Sequence, residues 1–104
     1  MGKDLIEAAY NGDFEKVKEL IENGADPRFK DHEGNNCFTE ACLMGHYDLV
    51  VYLLSLDNVT FDVNYTNIKN RTPLHKAAFG GHHQIVLLLL ENGANPKIND
   101  LALA

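Results

Sequence analysis

The sequence of 104 residues is poor in cysteine, in basic residues and in long apolar runs, and each shortage excludes a class of protein. Two cysteines cannot form the disulfide framework of a small secreted domain, so an intracellular location, cytoplasmic or nuclear, is expected. Nine Lys and Arg stand against fifteen Asp and Glu, and the net charge of −6 is opposite in sign to that of a general nucleic-acid binder. The longest apolar run, Ile85–Leu90, is far shorter than the roughly 18 residues of a membrane span, so insertion into a membrane is not expected either.

What the sequence does have is the composition of one globular domain, with 45% apolar and 23% charged residues. Its charge is unevenly distributed. Residues 1–33 carry five basic and nine acidic side chains, whereas residues 70–104 carry three basic and two acidic ones. Electrostatic attraction therefore favours a partner that presents basic groups to the N-terminal end of the chain.

The decisive feature is an internal repeat. The segment Ala8–Gly12 returns 33 residues later as Ala41–Gly45, and 36 residues after that as Ala77–Gly81. A period near 33 residues over three units indicates a stacked array of similar units, which bury their apolar faces against one another. The middle unit has three extra residues around Val59–Phe61, and we expect them in a loop, where an insertion costs least.

Each unit has the pattern of two short helices joined by a tight turn. In the first unit Asp4 is a candidate N-cap, and Glu7 three residues later would complete a capping box. A second helix is predicted from about residue 14 to 23, with Gly24 ending it.

Residues 72–78, Thr-Pro-Leu-His-Lys-Ala-Ala, with the Gly81-His82 pair after them, are similar to the signature of the ankyrin repeat family. Thr72 is predicted to cap a helix whose first residue is Pro73, a position where the missing N–H costs nothing.

The resemblance implies an all-α fold, an ankyrin-repeat solenoid of stacked helix-turn-helix units joined by β-hairpin-like loops. The chain is then a single ankyrin-repeat domain over residues 1–104, with repeats at about 3–33, 34–69 and 70–100. In the middle unit, residues 36–39 (Asn-Cys-Phe-Thr) stand where the family has Thr-Pro-Leu-His, so the start of that helix is expected to be less well set.

The C-terminal end is unusually apolar for the last unit of an array. Four consecutive leucines, Leu87–Leu90, leave the last helix little polar surface, although a terminal repeat normally needs a polar outer face. Three explanations are open: further repeats beyond residue 104, which we favour, a partner or second copy on this flank, or a fold-back of Leu101 and Leu103. Val51 and Leu87, at equivalent outer-helix positions where the first unit has Lys18, could also mark a self-association surface.

No catalytic arrangement is evident, and no cofactor or metal is expected. In the family resemblance His46, His75 and His82 occupy structural positions that hydrogen-bond turns and neighbouring backbone. Cys42 replaces a small core alanine, which favours a buried, inert thiol. Asn64 resembles a site in ankyrin repeats that an asparagine hydroxylase modifies, although stabilisation of its own turn is the better-supported role.

Carrying over the family's variable contact positions places the partner-binding surface on the concave side of the stack. The first-helix positions are large and apolar where exposure would favour smaller or polar groups, and charged residues surround them. The alternative is that these side chains pack against neighbouring repeats. The candidate contact residues are Tyr10, Asn11, His32, Glu33, Asn35, Leu43, Met44, Ile68, Lys69, Arg71, Lys76 and Phe79.

These features predict a non-catalytic protein-interaction module that binds a protein partner through its concave surface. Two alternatives remain: a targeting or regulatory ankyrin domain of a larger enzyme, and a small stand-alone ankyrin inhibitor. The resemblance identifies a surface and leaves the partner unknown.

Overall fold

The computed structural model describes residues 1–97, and these form six α-helices with no β-strand within that range. The all-α prediction is therefore confirmed. The helices come in three pairs: α1 (Gly2–Asn11) and α2 (Phe14–Glu22), α3 (Cys37–Met44) and α4 (Tyr47–Leu54), α5 (Pro73–Phe79) and α6 (His83–Glu91).

The pairs stack in chain order around one continuous core. Helix α3 packs between α1 and α5, and α4 packs against α6. The inner helices meet through small residues, because Ala9, Ala41 and Ala77 are all completely buried. Larger side chains, such as Leu49 and Leu53, belong to the same buried core. No pair could bury these apolar surfaces alone, so the stack is the folding unit.

Two tight turns join successive pairs and are built in the same way. In the turn 31–35, the Asp31 carboxylate accepts hydrogen bonds from the backbone N–H groups two and four residues later, each at 2.9 Å. In the turn 67–71, the Asn67 side-chain oxygen accepts the corresponding two bonds at 2.9 and 3.0 Å. These are the hairpin-like loops that the resemblance implied.

The first helix does not begin as predicted. It starts at Gly2 with Met1 as its N-cap, and no side chain caps it. Asp4 therefore lies inside the first turn, where its negative charge interacts favourably with the helix dipole. The predicted capping box of Asp4 with Glu7 was wrong. The reason is that the N–H of Leu5 already donates to the Met1 carbonyl at 3.0 Å, which extends the helix backward.

The start of α3 is as well defined as the start of α5, which corrects the sequence-based expectation. Asn36 accepts a hydrogen bond from the Thr39 backbone N–H, and the Thr39 hydroxyl accepts one from the Asn36 N–H, both at 2.9 Å. Thr72 and His75 form the same reciprocal box in α5, with Pro73 as its first residue, as predicted. Asn and Thr thus replace the Thr and His of the family motif.

Histidine side chains connect successive repeats. The Nε2–H of His46 donates to the carbonyl of Tyr10 at 2.9 Å, and that of His82 donates to the carbonyl of Leu43 at 2.8 Å. The predicted structural role of these histidines is confirmed. Gly45 lies directly beneath His82 with a φ of 80°, and a Cβ there would overlap the imidazole ring. Only glycine satisfies both the backbone angle and the close approach.

The long loop between α4 and α5 contributes to the core. Phe61, one of the three extra residues of the middle unit, is 8% exposed and stacks on Phe38 with 4.9 Å between ring centroids. The insertion does lie in a loop, as expected, but it also adds an aromatic layer beneath α3.

The last helix has an exposed apolar flank. Leu87 is 61% exposed and Leu90 is 39% exposed, whereas Leu89 is completely buried. The proposed fold-back of Leu101 and Leu103 falls outside the described residues and stays a prediction.

Two leucines of α6 provide a direct test of the stacking. Leu89→Ala should lower the free energy of unfolding by about 2–5 kcal/mol, because it leaves a cavity in the core. The matched variant Leu87→Ala should change it by less than about 0.5 kcal/mol, because that side chain is exposed. Urea unfolding followed by circular dichroism measures both, and equal effects at the two positions would contradict the register described above.

The histidine contact between repeats can be tested in the same way. His82→Ala removes the bond to Leu43 and should lower the free energy of unfolding by about 1–3 kcal/mol, since a polar group of the neighbouring repeat loses its partner. His83→Ala, at the exposed neighbouring position, serves as the control. Comparable losses for both variants would mean that the contact adds nothing to stability.

Candidate functional site

One face of the stack carries a row of large side chains at equivalent repeat positions. Tyr10, Leu43 and Phe79 occupy the same position near the ends of α1, α3 and α5, and Met44 follows Leu43. Phe79 is 84% exposed, Tyr10 46% and Met44 37%, while Leu43 is half-buried. We call this exposed side of α1, α3 and α5, together with the turns 31–35 and 67–71, the concave face.

The turns supply polar side chains and one apolar side chain, that of Ile68, to the concave face. His32, Ile68, Lys69 and Arg71 are exposed, as is Asn11 at the end of α1.

Asn35 is only 7% exposed, although it lines the groove between α1 and the first turn. Its side-chain oxygen accepts a hydrogen bond at 3.0 Å from the amide of Asn67, which is also buried. Asn35 therefore holds the two turns together. Its role as a partner contact stays a prediction.

An open groove of about 500 Å³ separates α1 from the first turn. Ile6 and Tyr10 form its apolar side, and carboxylates dominate its remaining wall. Among the described residues, the lining is Lys3, Ile6, Glu7, Tyr10, Asp31, His32, Glu33, Asn35 and Glu40. The groove brings together Tyr10, His32, Glu33 and Asn35, which were predicted to lie on the same surface.

Two ion pairs connect neighbouring repeats across the concave face. Glu40 and Lys76 approach to 3.8 Å, and their side chains are only 10% and 12% exposed. Glu33 and Lys69 approach to 3.5 Å in a much more exposed setting. Because both partners are largely removed from water, the first pair carries a desolvation cost that the second does not.

The electrostatic balance at Glu40 is visible in its pKa. Burial raises the pKa of the Glu40 carboxyl above its ordinary value. Lys76 acts in the opposite direction, and the nearby carboxylates of Asp31 and Glu33 add to the increase. The pairing with Lys76 therefore does not fully offset the cost of placing this charge in a poorly hydrated site.

The buried thiols have no features of reactive groups. Burial raises the pKa of Cys37 to about 12, and its Sγ donates to the carbonyl of Pro27 at 3.2 Å. The pKa of Cys42 is also raised by burial, in agreement with the predicted inert thiol. Within residues 1–97, no group of three or more His, Cys, Asp or Glu side chains is arranged to hold a metal ion.

His75 is buried and has a structural role at the start of α5. Its Nδ1 accepts a hydrogen bond from the Thr72 backbone N–H at 3.0 Å, so the proton of the neutral ring is on Nε2. That nitrogen is buried with no acceptor in the described part of the chain. Burial lowers the pKa of His75, and the nearby Arg71 lowers it further.

Asn64 connects the long loop to the third repeat. Its side-chain amide donates to the carbonyl of Gly93 at 3.2 Å, and its oxygen accepts from the N–H of Asn95 at 2.7 Å. These bonds agree with a structural role for this side chain. Hydroxylation of Asn64 stays a prediction.

A second groove, which the sequence analysis missed, lies between α2 and α4 on the opposite side of the stack. Phe14 and Tyr52 contact each other there, with ring centroids 5.2 Å apart. The available signal was the aromatic pair Phe14 and Tyr47, which occupy equivalent positions in successive repeats. Val51 is 41% exposed beside this groove, and self-association through Val51 and Leu87 stays a prediction.

Stacked helix pairs with tight connecting turns and an exposed first-helix face define the class of helical repeat solenoids. Comparison of the sequence with family models gives the particular family: the model described as ankyrin repeats (three copies) matches residues 5–100. The chain belongs to the ankyrin repeat family. Within the described residues, no helix is long and apolar enough to cross a membrane.

The chain is also similar to segments of curated proteins. It is 37% identical over 97 residues to human palmitoyltransferase ZDHHC13 and 36% identical over 101 residues to the mouse protein of that name. It is 35% identical over 101 residues to zebrafish palmitoyltransferase ZDHHC17. In each case the match covers 93% of this chain and 15% of the relative, so the chain spans about one seventh of the length of these proteins.

The raised pKa of Glu40 predicts a pH dependence. A carboxyl with a higher pKa in the folded chain stabilises the fold fully below its unfolded pKa, and this contribution is lost as the pH rises through the folded pKa. Glu40→Gln removes this titration. Between about pH 4 and pH 7, the free energy of unfolding of the unsubstituted chain should therefore fall relative to that of the variant.

Urea unfolding across this pH range measures the difference, with Glu15→Gln at an exposed position of α2 as the matched control. If the unsubstituted chain gained stability relative to Glu40→Gln as the pH rose, the ion pair with Lys76 would outweigh the effect of burial.

Proposed function

We propose that this chain is a non-catalytic protein-interaction domain that binds a protein partner through its concave face. The observation that carries the proposal is the exposure of Phe79, which is 84% accessible at the end of α5. A phenylalanine in that setting costs solubility and contributes little to the fold. Large apolar side chains at the centre of an exposed surface are typical of binding sites.

The other members of the row support the same interpretation. Tyr10 is also exposed, and Met44 supplies a flexible apolar side chain between Tyr10 and Phe79. Leu43 is half-buried and packs within the stack, so the packing alternative applies to that residue. The exposed residues of the row are the ones that we assign to partner binding.

The mechanism we propose is binding by a preorganised surface. Helices α1, α3 and α5 are fixed by the core, and the side-chain oxygens of Asp31 and Asn67 fix the two turns by accepting hydrogen bonds from backbone N–H groups. Little conformational entropy is then lost when a partner binds, which leaves more of the contact energy available as affinity.

A second candidate function is recognition within a larger enzyme. The relatives reported above are named palmitoyltransferases, and this chain matches 15% of their length. In this interpretation the concave face binds a protein and brings it to an acyl-transferring enzyme. An intracellular location fits this function, because Cys37 and Cys42 are both free, buried thiols. A stand-alone inhibitor has no specific observation in its favour.

The proposal predicts that binding and stability can be separated. The double variant Tyr10→Ala/Phe79→Ala should lower the free energy of unfolding by less than about 1 kcal/mol, since both side chains are substantially exposed. It should nevertheless lose partners that the unsubstituted chain captures from a eukaryotic cell lysate. Mass spectrometry identifies those partners, and calorimetric titration with each purified partner measures the loss of affinity.

The matched control is Val51→Ala/Leu87→Ala, which removes two exposed apolar side chains from the opposite side of the stack. If the control lost the same partners and Tyr10→Ala/Phe79→Ala did not, the binding surface would lie on α4 and α6. A large loss of stability in the first variant would mean that Tyr10 and Phe79 belong to the core.

A further inference from the structure

We propose that the concave face binds an extended protein segment with a basic side chain at the α1 end and an apolar side chain at the Phe79 end. This inference rests on the proposed function, and it adds the chemistry and the orientation of the partner. It depends on the apolar row and on a charge pattern that the fold creates across the repeats.

The apolar row provides the contact surface for such a segment. Tyr10, Met44 and Phe79 are exposed on three consecutive first helices, and no described element covers them. Because neighbouring helices pack about 8–10 Å apart, Tyr10 and Phe79 are separated by roughly 20 Å. An extended segment rises about 3.3 Å per residue, so about six residues connect the two ends of the row.

Charge at equivalent repeat positions changes sign along this row. Helices α1, α3 and α5 carry Glu7, Glu40 and Lys76 at one position. The two turns repeat the pattern, with Glu33 in the first and Lys69 in the second. At the helix position the charge therefore changes from acidic in the first two repeats to basic in the third, and in the turns it changes from Glu33 to Lys69.

The acidic end has the geometry to hold a basic side chain. In the groove beside α1, Ile6 and Tyr10 offer an apolar surface to an aliphatic stem, and Glu7 lies next to them. Glu33 and Glu40 already pair with lysines of the next repeat. Among the ion pairs of residues 1–97 none involves Glu7, so its charge is available to a partner.

The opposite end would reject the same side chain. Exposed Lys69 and Arg71 lie on the second turn, and Lys76 lies on α5. Lys69 and Lys76 are paired with Glu33 and Glu40, whereas no ion pair within residues 1–97 involves Arg71. A segment placed in the reverse orientation would bring its basic group toward Arg71. The charge pattern thus determines the orientation of the segment as well as its affinity.

Selection from a random 16-residue peptide library displayed on phage tests the inference with the full chain as bait. Synthetic fluorescein-labelled copies of the selected peptides are then titrated by fluorescence anisotropy. We expect enrichment of Arg or Lys about six residues from an apolar residue, and binding that weakens with added salt. Glu7→Lys should weaken binding roughly ten-fold, which is about 1.4 kcal/mol.

Glu15→Lys, on α2, has the same change in net charge and serves as the control, with less than about a two-fold effect expected. Phe79→Ala distinguishes this inference from the proposed function. If the selected peptides lost affinity for Phe79→Ala but not for Glu7→Lys, the requirement for a basic side chain would be wrong and binding at the concave face would still hold. If the peptides bound both variants as tightly as the unsubstituted chain, both this inference and the proposed binding at the concave face would be wrong. If the library gave no binder, the partner would not be an extended segment.

Discussion

The structure depends on the contact between the inner helices of successive repeats. Buried alanines at equivalent positions, Ala8, Ala41 and Ala77, allow α1, α3 and α5 to pack closely, and His46 and His82 each donate a hydrogen bond to the preceding repeat. A single helix pair has too little apolar surface to fold alone, so this contact determines stability. It also fixes the relative position of every side chain on the exposed side of the inner helices.

The candidate site is a direct consequence of that packing. Residues separated by 33 or 36 positions in the sequence become neighbours in the stack. The side chains at one repeat position therefore form a row across the three repeats. The row of Tyr10 and Phe79 is apolar, and the row of Glu7, Glu40 and Lys76 changes sign along the stack. A surface with such a gradient can favour one orientation of a partner, which a uniformly acidic surface cannot do.

The differences between prediction and structure have identifiable physical causes. Asp4 was predicted as a cap because its residue type is suitable, but a backbone hydrogen bond to Met1 begins the helix earlier. Asn35 was predicted as a partner contact from its family position, and it also pairs with Asn67 from the next repeat. Phe61 was expected in a loop and is in one, but it also stacks on Phe38. The error at Asp4 concerns competition between local signals, whereas the other two differences depend on long-range contacts.

The sequence by itself determined the repeat period, the all-α class and the family, because these follow from patterns that recur at fixed spacing. It also placed Tyr10, Leu43 and Phe79 at one equivalent position, but left open whether their side chains are exposed or pack between repeats. Only the tertiary structure decided that Phe79 is far more exposed than Leu43, and that Glu40 is buried against Lys76 while Glu7 has no such partner. Exposure and ion pairing are properties of the space between repeats, and that space exists only once the repeats have stacked.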